Sequence, residues 1–449
     1  MMNSKNFSIK VKKKITSFNK IIKVDPDKSL SIRSFLISSI SQGVSTVNNA
    51  LESGDVQNAI KALKKLKVKI IKIKKGQYRV LGNGLGSFAA KKNTQLDFGN
   101  SGTASRLILG AISTTPNLEL KVTGDKSLSK RNMKKLINIL SQFGATFLPK
   151  DKVNFPLKII SSNLPVGLNY KAGVSAQLKS AVIFAGLNSY GKTIINEQVT
   201  SRDHTENLLK HNKKNISIIG NKQKKIIIQG KKILKPINVN ISGDPSSAAF
   251  FVALTILNKN SKIKIRNVGL NPTRTGFYEV LKKQKAKIKF IKLKKENNEI
   301  RGDIVAESCS LKPMNTSSNI YSKTTDEYLL LFVLAALTKG TSTFRNISEL
   351  QNKESSRAYE MKKILKQIGV KCKLTKNMMK IYGKGLVDAS EKKIYIESLH
   401  DHRVAMCGFI LAILTNAQTT IKGFETVFSS FPSFLKIMKS LGAKYEIQK

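Results

Sequence analysis

Six times along this chain, a few small or polar residues precede an apolar run that reads as a helix. The six segments are Lys28-Ser-Leu-Ser, Asn100-Ser-Gly-Thr, Ser175-Ala-Gln-Leu, Asp244-Pro-Ser-Ser, Thr325-Asp-Glu-Tyr and Asp401-His-Arg-Val. Their starts at 28, 100, 175, 244, 325 and 401 lie 72, 75, 69, 81 and 76 residues apart. A second series keeps the same beat, each member an amphipathic helix followed by a short strand. Asn132-Met-Lys-Lys-Leu-Ile-Asn-Ile-Leu leads to Gly144-Ala-Thr-Phe, and Tyr359-Glu-Met-Lys-Lys-Ile-Leu leads to Gly369-Val-Lys-Cys. Phe434-Leu-Lys-Ile-Met, then Gly442-Ala-Lys-Tyr, closes the chain in the same way. Each glycine fits a helix C′ position, where a positive φ is needed.

A fixed period over the whole chain means one supersecondary unit used repeatedly. The unit reads as strand, helix, strand, helix, strand, strand, and it is too long for the common solenoids. Six units suit an α/β chain of two domains with three repeats each. The natural break lies near Gly243-Asp244-Pro245, with a return crossing near Val24-Asp25-Pro26. The expected domains are therefore 25–244, and 1–24 together with 245–449.

Composition agrees with this division. A chain of 449 residues exceeds one ordinary core. At 41% hydrophobic it can bury sizeable cores, and no run approaches the ~18 apolar residues of a membrane span. The first twenty residues are Lys-rich, without the apolar stretch of a signal peptide and without Arg. Cys309, Cys372 and Cys407 are odd in number and scattered, which points to a reducing, cytoplasmic setting and no disulfide framework.

The net charge of +51 invites a nucleic-acid reading, and its distribution argues against it. Of 79 basic residues only 11 are Arg, leaving 79 − 11 = 68 Lys, spread over the whole length among Ile and Asn. A binding stripe would be local and would favour Arg. No zinc-finger spacing or RNA-binding aromatic motif occurs. In such a chain Arg stands out where a planar, two-pronged donor is wanted. Arg33, Arg106, Arg131, Arg202, Arg357 and Arg403, six of the eleven, all fall in motif segments.

Asp27-Lys-Ser-Leu-Ser-Ile-Arg33 shows what such a segment offers. Lys28 and Arg33 bring charge, and Ser29 and Ser31 bring hydroxyls and candidate N-caps. The free N–H groups and positive dipole end of the helix point the same way, as a phosphate or carboxylate requires. A capped surface helix with two solvated cations has the same letters. Likewise, Lys353-Glu-Ser-Ser-Arg357 also reads as a plain helix start with i,i+3 ion pairs. His400-Asp401-His402 lacks the spacing and third ligand of a zinc site. Gly82-Asn-Gly-Leu-Gly lacks the lysine of a phosphate-binding loop and reads as a loop between strands.

Taken in order, the segments resemble the 5-enolpyruvylshikimate-3-phosphate synthases of the enolpyruvyl transferase family, from about residue 16 to 445. The resemblance rests on Asp27-Lys-Ser-Leu-Ser-Ile-Arg33, Gly99-Asn-Ser-Gly-Thr103, Gly124-Asp-Lys-Ser-Leu128 with Arg131, and Ser175-Ala-Gln177. It continues through Ser201-Arg-Asp-His-Thr205, Asp326-Glu327, Lys353-Glu-Ser-Ser-Arg357 and Asp401-His-Arg403. It implies a two-domain inside-out α/β barrel of six βαβαββ repeats, with helix N-termini facing a cleft between the domains. It also implies the transfer of the enolpyruvyl group of phosphoenolpyruvate to the 5-hydroxyl of shikimate 3-phosphate, with release of phosphate. That step belongs to the shikimate pathway of aromatic amino acid biosynthesis. No metal or organic cofactor is implied; the partners are the two anionic substrates, neither nucleic acid nor membrane, and the chain is expected to act as a monomer.

Carried over by position, Lys28, Ser29, Arg33, Ser175, Gln177, Arg202, Asp326 and Lys353 resemble the shikimate 3-phosphate ligands. Lys28, Gly102, Arg131, Gln177, Arg357 and Arg403 resemble those of phosphoenolpyruvate. Asp326 matches the base beside the 5-hydroxyl. Glu354 matches a proton carrier at C3 of phosphoenolpyruvate, with Lys28 as rival donor. Lys353 and Arg357 beside Glu354 would lower its pKa, so geometry must decide its role. Gly102 implies sensitivity to glyphosate, which in this family occupies the phosphoenolpyruvate site.

Three positions depart from the family pattern. Asp25-Pro26 stands where Pro-Gly is usual, Asn132 replaces a Pro, and Ser356 replaces an Asp whose loss would loosen Arg357. The alternative is the sister enzyme acting on UDP-N-acetylglucosamine. That branch carries a loop Cys in its first domain, and here no Cys precedes Cys309. Its Lys is followed by Asn, whereas Lys28 is followed by Ser29.

Overall fold

The computed structural model describes residues 6–221 and 223–448. The chain forms two compact units. One comprises Met1–Asp25, Gly243–Lys294 and Ile300–Lys449; the other comprises Pro26–Ser242 and the hairpin tip Lys295–Glu299. Each unit has its own apolar core.

Among the described residues six small sheets, five of four strands and one of three, carry the repeat. In the sheet of Thr94–Asp97, Glu119–Thr123, Leu157–Ile160 and Thr146–Leu148, the first two strands run parallel, with Leu96 opposite Val122. Leu157–Ile160 adds antiparallel to Glu119–Thr123, and Thr146–Leu148 adds antiparallel to Leu157–Ile160. The sheet of Asn169–Ala172, Lys192–Glu197, Lys224–Gln229 and Ile216–Ile219 repeats this arrangement. A parallel pair needs a crossover, and a helix fills it each time.

The two chain crossings split repeats between units. Strand Asn19–Ile22 pairs parallel with Lys262–Gly269 in one unit, while the helix after it, Lys28–Ile40, lies in the other. Asn238–Asn240 pairs parallel with Gln42–Asn48, and its helix, Pro245–Leu257, belongs to the opposite unit. Each crossing is pinned within its own unit. Asp244 N donates to Asp25 O, and Asp27 N to Ser242 O, both at 2.9 Å.

The apolar runs become helices that pass through the cores: Lys28–Ile40, Gly102–Ile112, Ala176–Leu187, Pro245–Leu257, Tyr328–Ala336 and His402–Thr415. Every residue of the last three is buried, as expected of helices apolar on all sides. Several hydroxyls of these six helices bond to their own helix four residues back. Ser39 Oγ donates to Phe35 O, Thr255 Oγ1 to Phe251 O and Thr415 Oγ1 to Leu411 O, at 2.7 to 2.8 Å. The outer helices are amphipathic. Arg357–Gln367 buries Ala358, Met361, Ile364 and Leu365 at helical spacing. After the outer helices Gly144, Gly369 and Gly442 take φ of 93°, 79° and 98°, the C′ conformation their positions called for.

Among the described residues, no helix is long and apolar enough to cross a membrane.

Candidate active site

In the unit of residues 26–242, three core helices begin at Lys28, Gly102 and Ala176. The first is capped by Asp27, whose carboxylate accepts from Leu30 N at 2.8 Å. The candidate caps Ser29 and Ser31 lie inside the helix instead, and Ser31 Oγ donates to Asp27 O. Lys28 Nζ lies 2.9 Å from Asp55 Oδ2, with 17% and 8% of the two side chains exposed. Asp55 stands in the first turn of the next helix, Gly54–Lys65, so one acid both suits that helix start and holds the lysine.

Arg33 follows one turn after Ser29 and is buried. Its Nη1 donates to Ser29 O at 3.1 Å, its Nε to Thr205 Oγ1 at 2.8 Å and its Nη2 to Ser180 Oγ at 3.2 Å. The planar guanidinium is thereby fixed on three sides. Thr205 closes the segment that carries Arg202. Ser201, also in that segment, donates from N and from Oγ to Glu197 Oε1, both at 2.8 Å.

Gly102 lies against the Arg131 guanidinium. A methyl group added there would fall on Arg131 Nη1 and within 2.7 Å of Arg106 Nη1. Next to it, Thr103 Oγ1 accepts from Gln177 Nε2 at 2.9 Å. Gln177 is thus brought from the third helix start to the second, and Ser175 caps its own helix at Leu178 N. Asn132, at a usual Pro position, accepts from Lys134 N at 2.8 Å and opens the helix Lys134–Gln142 by another means.

In the other unit a second charged cluster forms around Arg357, whose side chain is 2% exposed. Its Nε donates to Asp401 Oδ2 at 2.9 Å and its Nη2 to Glu354 Oε2 at 2.7 Å. Its Nη1 lies 3.6 Å from Asp326 Oδ1. Burial alone would lower the Arg357 pKa; Asp401 and Glu354, then Asp326, outweigh it and raise it, so the side chain stays charged. Asp401 also accepts from Ser355 Oγ and from Arg403 N, capping the helix His402–Thr415. Arg403 Nε and Nη1 are buried without a hydrogen-bond partner among the described residues. Buried N–H groups of that kind suit an anionic ligand. Cys407, one turn further along, is fully buried, and burial pushes its thiol pKa well up, so it is no thiolate.

The chain matches the family model described as EPSP synthase (3-phosphoshikimate 1-carboxyvinyltransferase) over residues 12–438. A 3-phosphoshikimate 1-carboxyvinyltransferase of Caldicellulosiruptor bescii is 38% identical over 424 residues, covering 94% of this chain and 96% of that protein. One from Zymomonas mobilis is 35% identical over 430 residues, covering 95% of this chain and 94% of that protein.

The chain belongs to the EPSP synthase family.

It is accordingly an enzyme, a transferase of the shikimate pathway, and the UDP-N-acetylglucosamine alternative is not favoured. A solved EPSP synthase of Acinetobacter baumannii superposes with a TM-score of 0.84 at 31% identity, over 99% of this chain and 100% of that one. An enolpyruvyl transferase of Streptomyces tendae shares the fold at 11% identity, with a TM-score of 0.74. These likenesses bear out the two-domain inside-out α/β fold.

Within each unit the motif residues of the EPSP synthase pattern gather at helix starts. Arg33 links Ser29 to the Ser201–Thr205 segment, Lys28 is held by Asp55, Gly102 lies against Arg131, and Gln177 bonds Thr103 beside Gly102. Asp326, Glu354, Arg357 and Arg403 meet through Arg357 and Asp401. Lys353 stands between the short helix Ser348–Asn352 and Arg357. The i,i+3 ion pair of Glu354 and Arg357 is present. The Ser356 departure leaves Arg357 firmly held, because Asp401 supplies the carboxylate. Asp55, Thr205 and Asp401 as partners of Lys28, Arg33 and Arg357 were not read from the sequence; only proximity in the fold pairs them.

Proposed function

We propose that these residues divide the work of enolpyruvyl transfer as follows. Ser29, Arg33, Ser175, Gln177, Arg202 and Lys353 hold shikimate 3-phosphate. Gly102, Arg131, Gln177, Arg357 and Arg403 hold phosphoenolpyruvate, and Lys28 serves both. Arginine suits planar carboxylates and phosphate through paired N–H bonds. Asp326 takes the proton of the 5-hydroxyl as that oxygen adds to C2 of phosphoenolpyruvate. C3 gains a proton, carried by Glu354 or Lys28. The tetrahedral intermediate then expels phosphate from C2 while its C3 methyl gives a proton back to the carrier, and the enol ether forms. Fixed guanidinium groups and helix N-termini stabilise the charge on the departing phosphate.

The observation that best supports this division is the Arg357 cluster. It joins the base candidate Asp326 and the proton-carrier candidate Glu354 to one buried guanidinium held charged. Glu354, as the acceptor of an Arg357 N–H, is poised as a carboxylate, so C3 protonation requires it to take up a proton first or leaves the step to Lys28.

The same reading has the chain act as a monomer in the cytoplasm on small anionic substrates, without metal. Its three free cysteines accord with a reducing compartment. Initial rates for Glu354→Gln and Lys28→Met test the proton assignment. A solvent-exchange assay of C3 hydrogens in phosphoenolpyruvate, lost in one variant and kept in the other, names the donor. Exchange kept in both removes both from the role.

A further inference from the structure

Lys179 lies near the start of the helix Ala176–Leu187, and none of its side chain reaches solvent. Its ammonium meets two carboxylates, Glu197 Oε1 and Glu206 Oε1, each at 2.6 Å and each itself buried. A buried ion group costs desolvation that packed leucines would avoid, so it is weak evidence for stability alone. What the two carboxylates touch is more telling.

Glu197 Oε1 accepts from both N and Oγ of Ser201, the residue before Arg202. Glu206 follows directly on Thr205, whose Oγ1 accepts from Arg33 Nε. Thr205 also shares a 2.8 Å hydrogen bond with Ser180, which in turn accepts from Arg33 Nη2 and is the chain neighbour of Lys179. From one ammonium, therefore, one arm leads to the Arg202 segment and the other to Arg33.

We propose that Lys179 is a positioning residue for shikimate 3-phosphate, in that its ion pairs with Glu197 and Glu206 form a frame that sets the places of Arg33 and Arg202. This rests on the reading above that those two arginines hold that substrate. Lys179 itself touches no substrate. A neutral side chain in its place leaves two carboxylates facing each other in an apolar interior. They then separate or take up protons, and Ser201 and Thr205 move with them. A binding clamp displaced by ~1 Å costs on the order of 10²-fold.

The test measures binding of shikimate 3-phosphate to the full-length protein by isothermal titration calorimetry, with circular dichroism and melting temperature as controls. Lys179→Met is expected to fold and to raise the Kd by at least about tenfold. Ser201→Ala removes one of the two hydrogen bonds of the Glu197 arm, the backbone N–H remaining, and Thr205→Val removes the acceptor of Arg33 Nε; both leave the three ion-paired groups in place. Each is expected to raise the Kd about threefold to tenfold, the weight of a single hydrogen bond, with a near-normal melting temperature. Added to Lys179→Met, they should have no further effect, because the frame is already lost. A purely structural Lys179 would lower the melting temperature and leave the Kd alone; a Kd within twofold of wild type in folded Lys179→Met overturns the proposal. Should that variant not fold, an unchanged Kd in both Ser201→Ala and Thr205→Val overturns it equally. Arg33→Ala separates the two levels. If wild type and Arg33→Ala bind the substrate equally, the substrate reading fails and the frame with it. If Arg33→Ala weakens binding and Lys179→Met does not, the frame alone fails.

Discussion

Arg357 and Asp401 form a two-point pair: Nε stands 2.9 Å from Oδ2 and Nη2 stands 3.3 Å from Oδ1, with 2% and 0% of the side chains exposed. The pair fixes the plane of the guanidinium and leaves Nη1 directed toward Asp326. Asp401→Asn keeps the shape and can still cap Arg403 N, but removes the charge. The buried cation then retains Glu354 and Asp326 alone. We expect KM for phosphoenolpyruvate to rise about tenfold or more, and stability to fall by on the order of 3 kcal/mol, as when one partner of a buried pair is removed. Steady-state kinetics and urea denaturation read the two effects. Unchanged values in both would show that Asp401 is not the anchor of Arg357.

Asp326 is the acid of this cluster nearest an open role, with about a quarter of its side chain exposed and Arg357 Nη1 at 3.6 Å. Asp326→Asn should leave shikimate 3-phosphate binding within roughly tenfold and cut kcat by on the order of 10² or more, the usual weight of general acid–base catalysis. A near-normal kcat would remove it from the role of base.

Gly102 gives a third expectation. Wild type should be inhibited by glyphosate at millimolar concentration or below. In Gly102→Ala the added methyl meets the ends of Arg131 and Arg106, flexible side chains that can yield. The protein should therefore fold, with Arg131 displaced. Inhibition should weaken more than KM for phosphoenolpyruvate rises, since the longer inhibitor has less room. Equal inhibition of the two proteins would mean that the inhibitor does not lie against Gly102.

Much of this architecture is legible in the letters, for definite physical reasons. Helices apolar on all faces must be core helices, and Asp244, Ser175 and Asp401 sit where the helix N-terminus needs an acceptor. Arg is rare enough that Arg33, Arg357 and Arg403 announce themselves, and all three are buried. Lys179 does not announce itself, because among 68 lysines one more in Leu178-Lys-Ser-Ala looks like a surface residue. Its partners stand 18 and 27 positions away and no local rule joins them. From the sequence the cap of the first helix falls two or four residues late, since Asp27, Ser29 and Ser31 are all good caps and only the backbone of Asp27 is extended there. The splitting of repeats by Asn19–Ile22 and Asn238–Asn240 depends on sheet pairing over long range, which period alone does not encode.

The Lys179 group also carries a pH signature. Burial pushes the Glu206 carboxyl above its ordinary pKa, and Lys179 opposes that rise. A carboxyl with a raised folded pKa favours folding below its unfolded value, about 4.3, and loses that contribution as pH climbs through the folded pKa. Removing Lys179 removes the opposing influence and deepens the loss. The melting temperature of Lys179→Met should thus fall short of wild type least near pH 4 and most near pH 8. A shortfall that does not vary with pH would contradict the ion-paired state of the group.

The most direct measurement is phosphate release from phosphoenolpyruvate by the purified wild-type chain, without added metal. Release is expected only when shikimate 3-phosphate is also present, in step with formation of 5-enolpyruvylshikimate 3-phosphate, and is expected to be lost in Arg357→Ala. Release that proceeds equally without shikimate 3-phosphate, or that requires UDP-N-acetylglucosamine in its place, would contradict the account.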